Sequence, residues 1–369
     1  MVSMRFVTLF LKTKNVHLTK DVGMLPYLLY REHGVDACVA TYKNDEEYPY
    51  IDSEVKGLKI EFIEPTGGGM IFDGVRYLAA NAASIDVLNI YHLNLSSYIF
   101  GIVYKRFNRR GRIYLKLDMN PKGLVACFKK NPTGMIKRAT IKRADIVSVE
   151  TKGMFEKLKS VYGDKILYIP NGCYGKDIPE EKTEKKNVIL TVGNLGTYEK
   201  ATDVLLEAFA KFTADPSSEG WELRLVGTVD DGFKSFLDDF RNRHPELKDS
   251  ITFTGPIYDR QKLSEEYAQA KIFTLPSLSE SFGIVLVEAA IHGCYLITSD
   301  MVPAGYDISD KLKNGMQVRA GDITELAGAF VKMAGSGKDW ESIAKRTASY
   351  VRTSFDWSRI INKLYKALI

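Results

Sequence analysis

Short runs of Val, Ile, Leu and aromatic residues alternate along this chain with longer stretches in which apolar positions recur at helical spacing. The short runs have the length and β-branched content of strands, so the repeating unit is a strand followed by a helix. Repetition of that unit builds parallel sheets covered by helices on both faces, which is α/β architecture. In the first half, strands are expected at Arg5 to Leu11, Val35 to Thr41, Leu58 to Ile63, Asp86 to Tyr91, Ile113 to Leu117, Ile146 to Val149 and Ile166 to Ile169. Helices are expected at Met24 to Glu32, Gly74 to Ala83, Ser96 to Phe107 and Lys152 to Val161.

The pattern breaks at Ile169-Pro170-Asn171-Gly172, and the polar stretch Lys176 to Asn187 that follows reads as a linker. A second series then opens, with strands at Val188 to Val192, Glu222 to Val226, Ile251 to Thr254, Ile272 to Leu275 and Tyr295 to Thr298. Its helices are expected at Thr202 to Phe212, Phe233 to Arg243, Gln261 to Ala270, Gly283 to His292 and Thr324 to Met333, with two more near Trp340 to Arg352 and Trp357 to Leu368. The organisation expected is a Rossmann-like domain over 1–172, a linker over 173–187, a second Rossmann-like domain over 188–352, and a C-terminal helix over 353–369 that packs back on the first domain. Ligands of such sheets bind beyond the carboxyl ends of the strands, so the expected site is a cleft between facing domains.

Composition narrows the class. At 369 residues, 45% hydrophobic and 26% charged, the chain suits two globular domains and not a disordered or fibrous protein. Its apolar runs fall short of the roughly 18 to 20 residues that cross a bilayer, and its four scattered cysteines suggest neither zinc nor a disulfide framework, so a cytoplasmic protein is expected. The five histidines show no i, i+4 pairing among themselves and no Asp-x-Asp triplet is present, so neither a metal nor a cofactor is expected.

The most informative segment is Leu275-Pro276-Ser277-Leu278-Ser279-Glu280-Ser281-Phe282-Gly283-Ile284-Val285-Leu286-Val287-Glu288. Pro276 stops a strand, Ser279 and Ser281 are expected N-caps, and the following helix leaves the amides of Gly283, Ile284 and Val285 unpaired. Such a helix start is suited to a diphosphate, and Gly283 lets an anion approach the backbone. Glu280 and Glu288 can accept hydrogen bonds from hydroxyls of whatever the phosphate carries. Glu280-x7-Glu288 in this setting resembles the donor-site motif of retaining glycosyltransferases of family 4, which have the GT-B fold. Gly193-Asn194-Leu195-Gly196-Thr197-Tyr198-Glu199-Lys200, ahead of the helix from Thr202, resembles the first strand-turn-helix of that family's donor domain, and Asn171-Gly172 its interdomain junction.

The resemblance implies a nucleotide-diphosphate sugar, expected to be a UDP-sugar, held mainly by the second domain. By that implication Glu280 contacts sugar hydroxyls and Glu288 the ribose. The amides of Phe282, Gly283, Ile284 and Val285, with Ser281 and Lys200, hold the diphosphate, and the base lies near Gly255 to Tyr258 with Ile257 among its contacts. Gly193 and Asn194 complete the donor side. Asn194 departs from the family, which usually has an arginine there, so one of two cations expected on the leaving group is missing. Lys12, Lys14 or Lys20, in the loop after the first strand, could supply the charge. Across the cleft, Lys14, His17, Lys20 and Asp118 are expected near the acceptor. His92 is the catalytic candidate there, with Tyr91 able to hold the same place.

Charge adds a partner. Between Ser97 and Arg143 stand thirteen Lys or Arg against the single Asp118, a net of +12 in a chain whose total is +5, which leaves −7 for the rest. Apolar residues such as Ile99, Phe100, Phe107 and Phe128 are interleaved with these charges. That mixture suits an anionic membrane surface better than nucleic acid, since no nucleic-acid motif is present. The expected function is transfer of a sugar to a glycan or lipid-linked acceptor in surface polysaccharide biosynthesis, in the cytoplasm and peripheral to the inner membrane face. The alternatives are a soluble transferase acting on a protein or small molecule, and a catalytically weak nucleotide-sugar-binding protein.

Overall fold

The computed structural model describes residues 4–174, 184–335 and 337–369, without the side chains of residues 121 and 122. Two compact units result, one of Met1–Asn171 with Trp357–Ile369 and one of Gly172–Asp356. Most of the expected linker, residues 175–183, lies outside the described residues.

Among the described residues the first unit holds seven strands: β1 (Arg5–Leu9), β2 (Asp36–Thr41), β3 (Lys59–Phe62), β4 (Val87–Tyr91), β5 (Arg112–Leu117), β6 (Ile146–Val149) and β7 (Ile166–Tyr168). They pair in parallel in the order β3-β2-β1-β4-β5-β6-β7. The central strands are buried on both faces because helices cover both, although one face also carries the polar Thr8, Asn89, Lys116 and Ser148. In β4 all five residues are buried, and Leu88, Ile90, Leu115 and Val147 share one core with Leu78, Phe100 and Ile141 of the covering helices. The C-terminal helix Trp357–Leu368 belongs to this unit. Tyr365 stacks on His33 with ring centroids 4.0 Å apart, Lys363 Nζ donates to the Tyr168 carbonyl at 3.0 Å, and Arg112 Nη1 donates to the Leu368 carbonyl at 2.8 Å. A cation at a helix C-terminus also complements the helix dipole.

In the second unit the described strands are β8 (Lys186–Val192), β9 (Glu222–Val226), β10 (Ile251–Gly255), β11 (Ala270–Leu275), β12 (Tyr295–Ser299) and β13 (Gly315–Val318). They too are parallel, in the order β10-β9-β8-β11-β12-β13. Phe209, Phe212, Leu223, Leu225 and Phe330 fill one side of the sheet, and Val188, Leu190, Phe273, Leu286 and Ala290 the other. The chain therefore has two Rossmann-like domains. In each, strand order reverses once, at β1/β4 and at β8/β11, and those reversals mark where open α/β sheets bind ligands.

Several elements depart from the sequence reading, among them the short helices Tyr50–Ser53 and Pro303–Ile308. Strand β13 is a short edge strand whose Gly-Met-Gln-Val carries too little apolar signal to be read alone. Helices Pro121–Phe128 and Pro132–Arg143 occupy what reads as an irregular basic run. Their start signals are present, since Asn120 Oδ1 accepts from the Gly123 amide at 2.9 Å and Asn131 Oδ1 from the Gly134 amide at 2.8 Å.

Candidate active site

At the β8/β11 reversal, backbone geometry decides what can stand there. Strand β8 runs into Gly193 at φ +155°, and β9 into Gly227 at φ +142°. A Cβ on Gly227 would lie 1.8 Å from the Gly193 carbonyl oxygen, so glycine is required for the two strand ends to pass each other. Beyond Gly193 the chain makes the turn Tyr198–Lys200 and enters helix Thr202–Phe212 through Ala201, whose φ of +50° is costly for a residue with a side chain. That strained step sets where Lys200 sits, and the turn is tied to the loop after β11 because the Leu278 amide donates to the Glu199 carbonyl at 2.8 Å. The two loops bring Lys200 Nζ to 2.5 Å from Glu280 Oε2, both side chains being partly buried.

Helix Ile284–Ile291 starts directly after Gly283, which serves as N-cap at φ +79°. Neither Ser279 nor Ser281 caps it, contrary to the sequence expectation, because a left-handed glycine already turns the chain, and among the described residues no side chain makes the cap bond. The first bond to Gly283 comes from the Leu286 amide at 2.9 Å, so the amides of Gly283, Ile284 and Val285 precede it. Phe282 is buried and packs near Phe355, while Ser281, Ile284 and Val285 are half-buried. Ile284 and Glu288 lie four residues apart and so share a helix face. Asn194 is exposed, and its side chain makes no hydrogen bond or ion pair among the described residues. Ile257 is half-buried against the core after β10, beside the exposed Tyr258.

Sequence reasoning missed the residues that hold Glu288. Tyr267 OH donates to Glu288 Oε2 at 2.9 Å, and His292 Nδ1 lies 2.7 Å from the Glu288 carbonyl oxygen. A carbonyl can only accept, so Nδ1 carries the hydrogen and Nε2 accepts from Ser264 Oγ at 2.6 Å. The i, i+4 spacing of Glu288 and His292 was the available signal. Burial, aided by the charges of Lys185 and Arg352, lowers the His292 pKa and keeps the ring neutral.

The β1/β4 reversal of the first unit gathers a second group. Phe10 follows β1, and its ring lies 6.0 Å from that of His17, 5.5 Å from Tyr91 and 5.8 Å from His92. His92 ends β4 at φ +64°, a left-handed conformation unusual for a non-glycine residue. The Lys14 amide donates to His17 Nδ1 at 3.0 Å, and burial together with Lys20 lowers the pKa of His17. Lys14, Lys20 and Asp118 are exposed at the same carboxyl edge.

Beneath this edge is a buried charged cluster that the sequence reading did not isolate. Lys116 is fully buried, its Nζ 3.1 Å from Glu150 Oε1 and 3.8 Å from Asp21 Oδ2, and it donates to the Ile169 carbonyl at 2.8 Å. Asn171 Nδ2 donates to the same Glu150 oxygen at 2.8 Å. Burial raises Asp21 and pushes Glu150 up to about 8. For Lys116 burial works downward, but the two carboxyls outweigh it and the pKa is raised. One cation thus serves two acids, and a proton on one of them balances the set. Lys116 therefore leaves the basic surface to which its place in the run assigned it. Arg112 is also engaged at the C-terminal helix, and Arg138 donates to the carbonyls of Cys127 and Lys129. Arg106, Arg109, Arg110, Lys129 and Lys130 remain exposed, as do Phe107, Val125, Phe128 and Met135. Among the described residues no helix is long and apolar enough to cross a membrane.

Residues 186–336, which span the second sheet, match the family model described as Glycosyl transferases group 1. An exopolysaccharide phosphotransferase of Streptomyces coelicolor is 28% identical over 193 residues, 52% of this chain and 19% of that protein. A phosphatidyl-myo-inositol mannosyltransferase of Mycobacterium leprae is 29% identical over 180 residues, 48% of this chain and 45% of that one. The chain thus spans about half the length, or less, of the curated relatives it matches. Among solved structures, Anabaena HepE in complex with UDP is similar over 100% of this chain and 99% of that one, with a TM-score of 0.76 at 15% identity. Sucrose-phosphate synthase from Thermosynechococcus elongatus is similar over 99% of each chain, with a TM-score of 0.72 at 18% identity. The fold is GT-B, and the family match is confined to residues 186–336.

Proposed function

We propose that this protein is a retaining glycosyltransferase that moves a hexosyl group from a UDP-sugar to a glycan or lipid-linked acceptor in surface polysaccharide assembly. The observation that carries the reading is the Lys200–Glu280 pair, held at a strand-order reversal beside the amides that open helix Ile284–Ile291. A diphosphate seated on those amides gains from the helix dipole, and Lys200 meets the charge that builds on it as the glycosidic bond breaks. Glu280 accepts from hydroxyls of the donor sugar and Glu288 from those of the ribose. Gly193 lets the donor approach the backbone, and Ile257 lies toward the base. His92 stands toward the acceptor, with Lys14, His17, Lys20 and Asp118 at its rim. The cation in this scheme is a side chain, so transfer uses neither metal nor cofactor.

Two relatives, an exopolysaccharide phosphotransferase and a phosphatidyl-myo-inositol mannosyltransferase, support by their names a polysaccharide or lipid-linked acceptor, and UDP in HepE supports a UDP-sugar. The exposed mixture of Arg106, Arg109, Arg110, Lys129 and Lys130 with Phe107, Val125 and Phe128 supports a peripheral site at the cytoplasmic face of an anionic membrane. Reversing the charge of Arg109, Arg110, Lys129 and Lys130 should weaken binding to phosphatidylglycerol vesicles at low salt; unchanged binding removes the membrane from the account. A thermal-shift panel of nucleotide sugars tests the donor. A ligand at 100 times its Kd stabilises by about 2.7 kcal/mol, so the right donor raises Tm, and a panel without any shift sinks the reading. Asn194, exposed and uncharged where a cation is expected, favours one alternative, a catalytically weak nucleotide-sugar-binding protein. Under that alternative Asn194→Arg raises no turnover, whereas a merely slow transferase gains from the added charge.

A further inference from the structure

Tyr267 holds the Glu288 carboxylate, and a Ser264–His292 pair holds its main chain. Helix Arg260–Gln269 presents Ser264 and Tyr267, which lie three residues apart and so on one face. Tyr267 reaches the Glu288 carboxylate, and Ser264 reaches His292, which holds the Glu288 main chain. The carboxylate and the backbone of one residue are therefore both fixed from the same neighbouring helix.

The Tyr267 ring is 2% exposed and lies between His292, with centroids 5.6 Å apart and planes at 21°, and Phe273, with centroids 5.8 Å apart. Packing holds this ring in place, and among the described residues the hydroxyl donates to one acceptor, Glu288 Oε2. Burial, then the charge of Glu288, push the phenol well above its usual range, so it stays a donor throughout the working pH. A carboxylate on a half-buried helix face has several rotamers within thermal reach. The hydrogen bond selects one, and with it the direction in which the carboxylate meets a ligand.

We infer that Tyr267 is a positioning residue for recognition of the donor's ribose, orienting the Glu288 carboxylate toward the ribose hydroxyls without touching the donor. The inference rests on the reading that Glu288 meets the ribose, and it assigns helix Arg260–Gln269 a part in discriminating ribonucleotides from their deoxy analogues. A purely structural tyrosine would affect both nucleotides alike, whereas an orienting one affects only the nucleotide that has hydroxyls to be recognised.

The test measures the affinity of UDP and of 2′,3′-dideoxy-UDP for the full chain by calorimetry, with ADP and GDP alongside, in the wild type, Tyr267→Phe and Glu288→Gln. Tyr267→Phe keeps the ring and its stacking, so the fold persists. Because the readout is a ratio within each variant, a partly destabilised sample still reports. Tyr267→Phe should weaken UDP about tenfold, the scale of one hydrogen bond to a charged group, and leave the dideoxy analogue within twofold. Donor KM should rise by a similar factor, with kcat at saturating donor little changed. If Glu288→Gln collapses the preference and Tyr267→Phe does not, Tyr267 has no positioning role. Should Glu288→Gln itself leave the preference intact, or no nucleoside diphosphate bind, the donor-site reading fails and the inference with it.

Discussion

Lys116→Met removes the one cation from a buried set and leaves its stem in place. In the native unit Lys116 is fully buried within 3.1 Å of Glu150 and 3.8 Å of Asp21, which are themselves 4% and 8% exposed. Without the ammonium, neither carboxyl can stay ionised there, because a buried charge without a partner is worse than a neutral acid. Glu150, already raised to about 8, holds a proton near neutrality. Asp21 must then also take one up, roughly 3 pH units above its ordinary pKa at pH 7, at about 1.4 kcal/mol per unit, or some 4 kcal/mol. Breaking a buried pair by removing one member is expected to cost about 3–5 kcal/mol, so the two routes agree. Urea unfolding of the full chain gives the loss, and hydrogen exchange of the peptides covering β5 to β7 assigns it to the first unit. The deficit should shrink by about 1.4 kcal/mol for each unit of acidification from pH 7 toward 5, because the added proton becomes easier to supply. The triple variant with Asp21→Asn and Glu150→Gln should recover most of it. A loss below about 1 kcal/mol, or one indifferent to pH, would show that the cluster is not the buried ion set described.

Two further outcomes follow from particular contacts. Gly227→Ala puts a methyl group 1.8 Å from the Gly193 carbonyl oxygen, so the strand end that leads to Lys200 has to move; donor affinity measured by calorimetry should fall at least tenfold, and wild-type affinity would contradict the packing argument. His292 has its pKa lowered from the ordinary 6.5, so the unfolded chain takes a proton first as pH falls. Its contribution to stability is whole above about 6.5 and is lost as pH drops through the lowered folded value. Melting of the wild type and His292→Asn at pH 7.5 and 5.5 should show the wild type's margin narrowing, and a constant margin would rule out a neutral buried imidazole.

Much of the second unit was legible because its signals are local. Pro276, Gly283 and the apolar run after it mark a strand end and a helix start within a dozen residues, and Lys200 stands in the turn after a strand that ends in glycine. Lys200 and Glu280 stand 80 residues apart in the chain, and what brings them together is a bond between the Leu278 amide and the Glu199 carbonyl that is invisible to periodicity. Tyr267 and Ser264 went unread for the same reason. They lie on a polar helix whose apolar face is narrow, and only tertiary packing turns them toward Glu288. Lys116 shows the converse error. Counted by position it belongs to a basic surface, yet its strand alternation and the depth of β5 bury it beside Asp21 and Glu150, whose sequence separations gave no hint of a cluster. Helices Pro121–Phe128 and Pro132–Arg143 carry Asn-Pro starts, but the dense Lys and Arg between them obscures the apolar periodicity.

The central claim is that Lys200 and Glu280 work on a nucleotide-sugar donor, and the initial rate of nucleoside diphosphate release tests it most directly. The rate is measured for wild type, Lys200→Ala and Glu280→Ala with the donor that the thermal-shift panel selects. Loss of one preorganised charge on the leaving group should lower kcat by about a hundredfold or more in Lys200→Ala, with the melting profile largely retained. Glu280→Ala should be similarly impaired. Wild-type turnover in both variants would contradict the account.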